Sequence, residues 1–600
     1  MHSKLLLTVL SALVFGLGAP LIKAQQLTEG QREYLRELWQ EKWRPQQNVD
    51  ARGEDRPADK ISGTGEYKLT GNTVSDEGEP FIMVNPNDSD NVVVSFMDFG
   101  GATALDFPIY YTLDGGTTWN LSNFSAADTF ATMNPAWSIG GGGDPVFAYD
   151  ANGRLYFSWL YLASDPASQL ENPLDMLWAW SDDKGQTWNM AADSADRHIG
   201  QGSLGFLGTS IGPRGDGVFD RQWFAVDRTG GNFDGNLYAA YLFIPSPNSS
   251  FSGEGICVRV MRPGTLKWDS VHVQATPGAE VQFSNIAVDG NGRVHLSYGT
   301  TANGGASAVQ HTFSTDGGAT WSTPTTVANV NYPRPLFTWN VHPRENANPN
   351  MAIDPVSNNI YIVFGTVAGS SVEGYFSRST DGGLNWSTPF NIASLRNQNV
   401  QVLMPSVATN DKGVVTMSWF DLNANDRGHY YTVESFDEGV TWDPVTQLSA
   451  AESDFSGAQF TTFYGDYYTS VRSGCTTWSA WSDGRNNQGP KLYIAKTTKC
   501  TSMPVGFTEV SPLTQDISLT RLSPNPASDQ LQLGLALSAE TSAEIALLDV
   551  QGRTVKELYR GILPAGEQKL TLALGELAAG SYLLRVATDL GLLTRRVIKQ

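Results

Sequence analysis

The sequence predicts an all-β protein: a seven-bladed β-propeller, with six blades as the alternative, followed by a small C-terminal β-sandwich. Three observations point there. The phrase Ser/Thr-x-Asp-x-Gly-x-(Thr/Asn)-Trp occurs five times, at residues 112–119, 181–188, 314–321, 379–386 and 435–442. Such self-similarity marks a repeat architecture whose units bury their faces only against neighbours. Ahead of the phrases, short apolar runs alternate with Asp/Asn/Gly turns, as in 146–149, Asp150-Ala151-Asn152-Gly153 and 155–161, which is the pattern of antiparallel strands. The composition agrees: 60 glycines, 11% aromatic and only 17% charged residues suit many tight turns and large side chains packed between sheets.

Taken in chain order, residues 1–24 read as a signal peptide. Lys4 precedes an apolar run over 5–22, Gly16, Gly18 and Pro20 interrupt it, and Ala24 offers a small residue for cleavage before Gln25. No later stretch is apolar enough to span a bilayer, so the mature chain is expected to be exported without a transmembrane segment. Residues 25–64 read as a short helix at 28–43, with Leu35, Leu38 and Trp39 at helical spacing, and then a charged linker.

Residues 65–499 carry seven units. Their first strands are expected at 81–84, 146–149, 223–226, 286–288, 351–353, 406–408 and 467–471, and their second strands at 92–96, 155–161, 237–243, 294–298, 360–364, 414–419 and 476–481. A third strand runs into each phrase and a fourth leaves it. The third unit ends in Pro263-Gly264-Thr265-Leu266-Lys267-Trp268, which has lost the aspartate and explains the long gap between Asp183 and Asp316. The seventh unit lacks a fourth strand of its own. Residues 67–70 are expected to supply it and close the ring, leaving few exposed edges. Of three cysteines, Cys475 and Cys500 could form one bridge in an oxidising compartment, which would leave Cys257 free and buried; the sequence leaves the pairing open. A formal charge of -21 argues against binding nucleic acid or an anionic membrane surface.

The repeated phrase is similar to the Asp box, or BNR repeat, of sialidases and related propellers. The resemblance implies that each box caps the turn between the third and fourth strands of a blade, with its Asp and Ser/Thr bonded to the turn and its Trp packed between blades. Side-chain chemistry agrees, so Asp114, Asp183, Asp316, Asp381 and Asp437 are expected to be structural. Sialidases have six blades, whereas seven units are read here. Residues 500–518 read as a linker. Residues 519–600 resemble the type A C-terminal sorting domain of Bacteroidota type IX secretion, on Leu522-Ser523-Pro524-Asn525-Pro526-Ala527, Leu547-Leu548-Asp549-Val550-Gln551-Gly552-Arg553, Ala579-Gly580-Ser581-Tyr582 and Arg595-Arg596-Val597-Ile598-Lys599. That resemblance implies a partner in the type IX machinery, and a protein secreted or attached at the outer-membrane surface.

If the boxes occupy one face of the disc, the loops after the second strands and between units occupy the other, and ligands are expected there. Glu79, Asp144, Asp220, Arg221, Asn348 and Asp466 stand at first-strand starts. Asp98, Asp421 and Asp483 end second strands, with Arg427 and Arg485 close behind. Inter-unit loops add Arg334, His342, Arg344 and Glu345. Three functions compete. A sialidase-like hydrolase needs three arginines on the substrate carboxylate, drawn from Arg221, Arg334, Arg344, Arg427 and Arg485, plus a Tyr nucleophile with its Glu and an Asp acid/base. The family's Arg-Ile-Pro signature is absent, and Glu79-Pro80 stands there. A hydrolase of neutral sugars would use two carboxylates among Asp98, Asp144, Asp466 and Asp483. A non-catalytic propeller would bind extracellular glycan or protein, with Glu79, Asp144 and Asp466 holding a hard cation such as Ca²⁺. Tyr464, Tyr467 and Tyr468 read as packing residues. Zinc, P-loop and Cys-x-x-Cys motifs are missing. The expectation is a monomeric, exported, sialidase-like propeller that binds or hydrolyses extracellular glycans or glycoproteins, with enzyme and binding module both open.

Overall fold

A computed structural model describes residues 59–60, 65–70, 76–98, 107–125, 138–164, 171–207, 210–214, 217–246, 249, 255–269, 272–275, 279–302, 307–331, 349–368, 371–396, 400–455, 464–485, 490–500, 517–525, 527–548, 554–578, 580–588 and 590–599. The expected signal peptide and helix, and Arg334, His342, Arg344, Glu345 and Asn348, lie outside the described residues. The chain divides into two compact units, Met1–Cys500 and Thr501–Gln600. Among the described residues no helix is long and apolar enough to cross a membrane.

The first unit is a β-propeller. Its sheets are antiparallel and follow chain order, beginning with Glu77–Asn85, Asp88–Asp98, Ile109–Thr112 and Asn120–Leu121. The innermost strands touch in cyclic order: Glu77–Asn85, Ser138–Tyr149, Gly217–Val226, Ala279–Val288, Asn350–Ile353, Gln401–Thr409, Thr469–Ser473, then Glu77–Asn85 again. We number the sheets first to seventh in that order. Second strands such as Leu155–Ser164 and Leu237–Pro245 are covered on both faces by adjacent sheets, which is why they read as unbroken apolar runs.

The last sheet borrows its fourth strand from the start of the chain. Glu66–Lys68 pairs with Lys491–Thr498, Tyr67 opposite Ile494, close to the 67–70 stretch expected from the sequence. Hydrogen-bonded pairing of the two ends removes the open edges that an unclosed ring would expose. Cys475 and Cys500 are bridged and Cys257 is free and buried.

The five boxes share one hydrogen-bond set. In the first, Thr112 Oγ1 donates to Asp114 Oδ1 at 2.8 Å, Thr118 N–H to the same oxygen at 2.8 Å, and the Thr118 hydroxyl to Oδ2 at 2.7 Å. Asp183, Asp316, Asp381 and Asp437 repeat these bonds, the Asn385 amide N–H replacing the hydroxyl donor at Asp381. Burial alone would raise these carboxyls, but the donors around them outweigh it and hold all five below the usual range. Box tryptophans staple one sheet to the preceding one. Trp119 meets Trp478 edge-on at 5.8 Å, Trp386 meets His311 at 5.3 Å and Trp442 meets Phe376 at 5.1 Å. Trp268, in the copy without an aspartate, still meets Trp178 at 5.9 Å. The box glycine serves twice. Gly116 has φ +88°, and a Cβ there would lie 2.4 Å from the Trp478 ring of the sheet behind.

The second unit is a β-sandwich of two sheets. One contains Ile517–Ser523, Gln530–Leu537 and Gly566–Ala573, the other Thr554–Leu563, Thr541–Leu548, Gly580–Thr588 and Gly591–Lys599. Leu531, Leu533, Leu535, Ile545, Leu547, Leu584 and Val586 alternate inward to form its core, as a two-layer packing requires.

Candidate functional site

On the face opposite the boxes, the innermost strands share a β-bulge. Ladder register shifts between Gly78 and Phe81, Gly143 and Val146, Asp220 and Trp223, Gln282 and Asn285, and Leu403 and Ser406. In each bulge one residue is left-handed: Glu79 (φ 51°), Asp144 (59°), Arg221 (55°), Phe283 (60°) and Met404 (51°). None is glycine, so each conformation costs about 1–3 kcal/mol. Pro80, Pro145 and Pro405 take the second bulge position, where no ladder donor is needed. Bulges re-aim side chains, and here they bring residues of separate sheets together at the channel mouth.

The resulting network is closed and charged. Glu79 accepts from the backbone N–H of Asp144 at 3.3 Å and of Asp466 at 3.2 Å. Asp144 accepts from the N–H of Arg221 at 3.2 Å. The Arg221 guanidinium pairs with Asp466, lies 3.5 Å from Asp220 and sits 4.4 Å from the centroid of the Phe283 ring. All of these ionic groups are buried. Beneath them Phe81, Trp223 and Tyr467 meet edge-to-face at centroid distances of 5.1, 5.5 and 6.4 Å. Phe81 and Trp223 come from the innermost strands of the first and third sheets and Tyr467 from just before that of the seventh, so rings from three sides of the propeller meet. The Tyr467 hydroxyl donates to Pro145 O at 3.2 Å. Burial, then the charges of Glu79, Asp144 and Asp466, push that phenol far up, which suits packing and opposes a role as phenolate nucleophile.

Three of the expected residues, Glu79, Asp144 and Asp466, therefore do converge, and Arg221 joins them. Among the described residues no group of three or more His, Cys, Asp or Glu is arranged to hold a metal ion. Arg221 is a cation paired within this carboxylate set; Ca²⁺ was one of the readings the sequence left open there.

The remaining expected residues are placed elsewhere. Arg485 pairs with both Glu66 and Asp483 at 2.5 Å and stacks on Tyr493 at 3.9 Å, a buried cluster that ties the N-terminal strand to the last sheet. Arg427 pairs with Asp454 at 2.6 Å near the surface. Asp421 is bound by Arg396 and Trp419. Asp98 is half-buried, directly across the ladder from Glu77.

Sequence reading missed several groups. Glu77 is fully enclosed, accepts from Leu492 N–H and the Thr70 hydroxyl at 2.7 Å each, and lies 3.5 Å from Lys491 Nζ. Burial, aided by Asp98 and opposed by Lys491, pushes its carboxyl up to about 7. Gln222 donates its amide N–H to Asp144 O, which fixes the amide so that Oε1 faces away. That oxygen and Asn285 Oδ1 are buried without a partner. Both residues, with Arg221, Trp223, Phe283 and Tyr467, line a small cavity of about 30 Å³ at the mouth. The recurring X-Pro at strand starts (Glu79-Pro80, Asp144-Pro145, Met404-Pro405) was the available sequence signal for the bulges.

Residues 253–469 match the model of the BNR repeat-like domain, and residues 521–600 that of the secretion system C-terminal sorting domain. The chain carries a BNR-repeat propeller and a C-terminal sorting domain. The sorting domain indicates export by type IX secretion, to the cell exterior or surface. No curated protein matches the chain. Solved structures similar to it include a Hadza microbial sialidase (11% identity, 66% of this chain and 74% of that one, TM-score 0.37). An α-L-arabinanase of Penicillium chrysogenum complexed with arabinobiose (14%, 70% and 93%, 0.36) and a PL25 ulvan lyase (12%, 62% and 80%, 0.33) are also similar. The activities are those proteins' own.

Proposed function

We propose that this BNR-repeat propeller is an exported glycan-binding protein that takes its ligand at the channel mouth, opposite the boxes. One observation carries the reading: the Gln222 and Asn285 amide oxygens are buried acceptors without a partner, on two residues that line the cavity. An unmet buried acceptor costs about 1–3 kcal/mol, and a ligand hydroxyl entering that cavity recovers it. The cavity holds a hydroxyl or hydroxymethyl group, with the rest of the sugar outside. Neutral glycans are favoured over sialosides, because the candidate arginines among the described residues, Arg221, Arg427 and Arg485, already have carboxylate partners. The carboxylates Asp144, Asp466 and Asp483 are committed to backbone N–H groups or arginines, which supports binding over proton transfer.

A hydrolytic reading has one specific observation in its favour. Glu77, whose carboxyl burial pushes up to about 7, faces Asp98 across the ladder, and a carboxyl with a raised pKa beside a second acidic residue is what acid–base cleavage of a glycoside uses. The test is a titration of the full exported chain against neutral and sialylated oligosaccharides, with product release followed in the same samples. Saturable binding of a neutral glycan, weakened about tenfold by Gln222→Ala, is expected. Binding untouched by that variant sinks the reading. Sialic acid release abolished by Arg221→Ala overturns it in favour of a sialidase. Turnover of a neutral glycan abolished by Glu77→Gln and by Asp98→Asn establishes the hydrolase.

A further inference from the structure

We infer that the cleft between the fourth and fifth sheets is a second saccharide site, one that takes a neutral sugar ring against Tyr375. The cleft lies on the same face as the bulges but outward from the axis, between the last strand of the fourth sheet, Thr325–Val330, and the second and third strands of the fifth, Ile360–Ala368 and Ser371–Ser379. Its volume of about 390 Å³ lies in the range of roughly 300–1,000 Å³ usual for small-molecule sites, more than ten times the room at the channel mouth.

The walls are prepared for a ligand. Tyr375 stacks on Phe364 with centroids 6.0 Å apart and planes 16° from parallel, and its hydroxyl donates to Glu373 at 2.6 Å. Ring and carboxylate thus hold each other in one orientation before anything binds, which lowers the ordering cost of association. The roof is fixed as well. Thr366 Oγ1 accepts from Asn331 N–H at 2.9 Å and Val367 N–H donates to Asn331 O at 2.8 Å, so the segment leaving the fourth sheet is tied to the fifth by one side-chain and one backbone bond. Tyr375 is half-buried, and Glu373 keeps acceptor capacity beyond its bond to Tyr375.

The lining selects the ligand class. Among the described residues the cleft has a carboxylate, the amides of Asn329 and Asn331, a hydroxyl and apolar surface from Val330, Val367 and Pro389, and no Arg, Lys or His. Among these described residues a carboxylated or sulfated sugar would meet Glu373 without a balancing cation. A point cation such as a lysine side chain would satisfy Glu373 but leave the aromatic and apolar walls and most of the volume empty. A neutral pyranose or furanose uses both halves: its C–H face on the ring, its hydroxyls on Glu373 and Asn329.

The inference does not rest on the channel-mouth reading, and the experiment separates the two. The full chain is titrated with lactose, cellobiose and arabinobiose as neutral probes, 3′-sialyllactose as the anionic probe and Nα-acetyl-lysine methylamide as the cationic one. Calorimetry gives affinity and saturation-transfer NMR gives the bound face. At least one neutral disaccharide is expected to bind, with affinity falling about tenfold in Tyr375→Ala and about threefold in Glu373→Gln. Tyr375→Phe, which keeps the ring, should retain affinity to within about twofold, and the component of binding lost in Tyr375→Ala should persist in Gln222→Ala, whatever that variant does at the channel mouth. Thermal melting of each variant identifies one that has merely unfolded, in which case Tyr375→Phe and Glu373→Gln decide. No neutral probe binding, equal affinity in Tyr375→Ala and the parent chain, or preference for the sialylated or lysine probe would each overturn the proposal.

Discussion

Replacing Arg485 with Met distinguishes ring closure from substrate binding. Sequence position made Arg485 a candidate for gripping a substrate carboxylate, but in the fold it lies between Glu66 and Asp483, and all three side chains are almost wholly inaccessible, at 6%, 0% and 0% exposure. Removing the cation leaves two buried carboxylates uncompensated, and breaking such a cluster costs about 3–5 kcal/mol. One kcal/mol shifts the melting point of a large domain by about 2–4 °C at most, so a drop of about 10 °C is expected. The loss should depend on pH in a defined direction. Burial already raises the Glu66 carboxyl above its unfolded value, against the opposing pull of Arg485. A group with a raised folded pKa contributes stability below its unfolded pKa and loses it as pH rises through the folded one. Without Arg485 the carboxyl rises further, so the variant's deficit should be largest near pH 8 and shrink toward pH 5. Urea denaturation at both pH values measures this. The uncharged combination Glu66→Gln, Asp483→Asn, Arg485→Met should recover most of the loss, since neutral replacement of a whole buried cluster is tolerated. Undiminished stability of Arg485→Met at pH 8, together with loss of glycan binding, would refute the reasoning and restore Arg485 to a ligand site.

Three further outcomes follow from the same structure. Asp316→Ala removes the acceptor of the Ser314 and Thr320 bonds in one box and should cost about 2 kcal/mol in thermal or urea unfolding while leaving glycan affinity unchanged; a larger effect on affinity than on stability would place the box at the ligand. Glu77, with its carboxyl at about 7 against an ordinary 4.5, should make the parent chain lose about 3 kcal/mol between pH 4.5 and 8 relative to Glu77→Gln, read as the difference between their stability–pH curves. Cys475→Ser with Cys500→Ser opens a loop with a separation of 25 residues and should lower unfolding free energy by about 3 kcal/mol in the chain-entropy account, an effect that reducing agent should reproduce in the parent chain.

Much of the fold was legible in the sequence because its determinants are local. A box is a turn whose Asp, Ser/Thr and Gly bond within eight residues, so its chemistry is complete in the phrase, and the strand pairs around it are linked by short Asp/Asn/Gly turns. The sandwich unit showed itself by alternation for the same reason. The candidate site was legible only in part. Glu79, Asp144 and Asp466 were identified by their place at strand starts, and they do meet. The partners that define their state were invisible: Arg221 was read as a substrate grip because nothing in its neighbourhood of sequence announces Asp466, which belongs to a sheet three positions further round the shorter way. Asp483 and Arg485 were grouped with the channel because they end a second strand, whereas Glu66, some four hundred residues earlier in the chain, takes them into the closure. Gln222 and Asn285 carried no signal at all, since an amide becomes informative only when one end is fixed and the other is buried unmet.

The sequence by itself determined the repeat, the strand order, the capped turns and the export signal at the C-terminus, because these depend on residues close together in the chain and on the periodic burial of side chains. Only the tertiary structure decided which charges neutralise one another and which buried polar atoms are left without a partner. Ring closure brings the two ends of the propeller into one sheet, and the bulges turn residues from separate sheets onto one axis. Electrostatic pairing and desolvation depend on those distances in space, which separation along the chain does not encode.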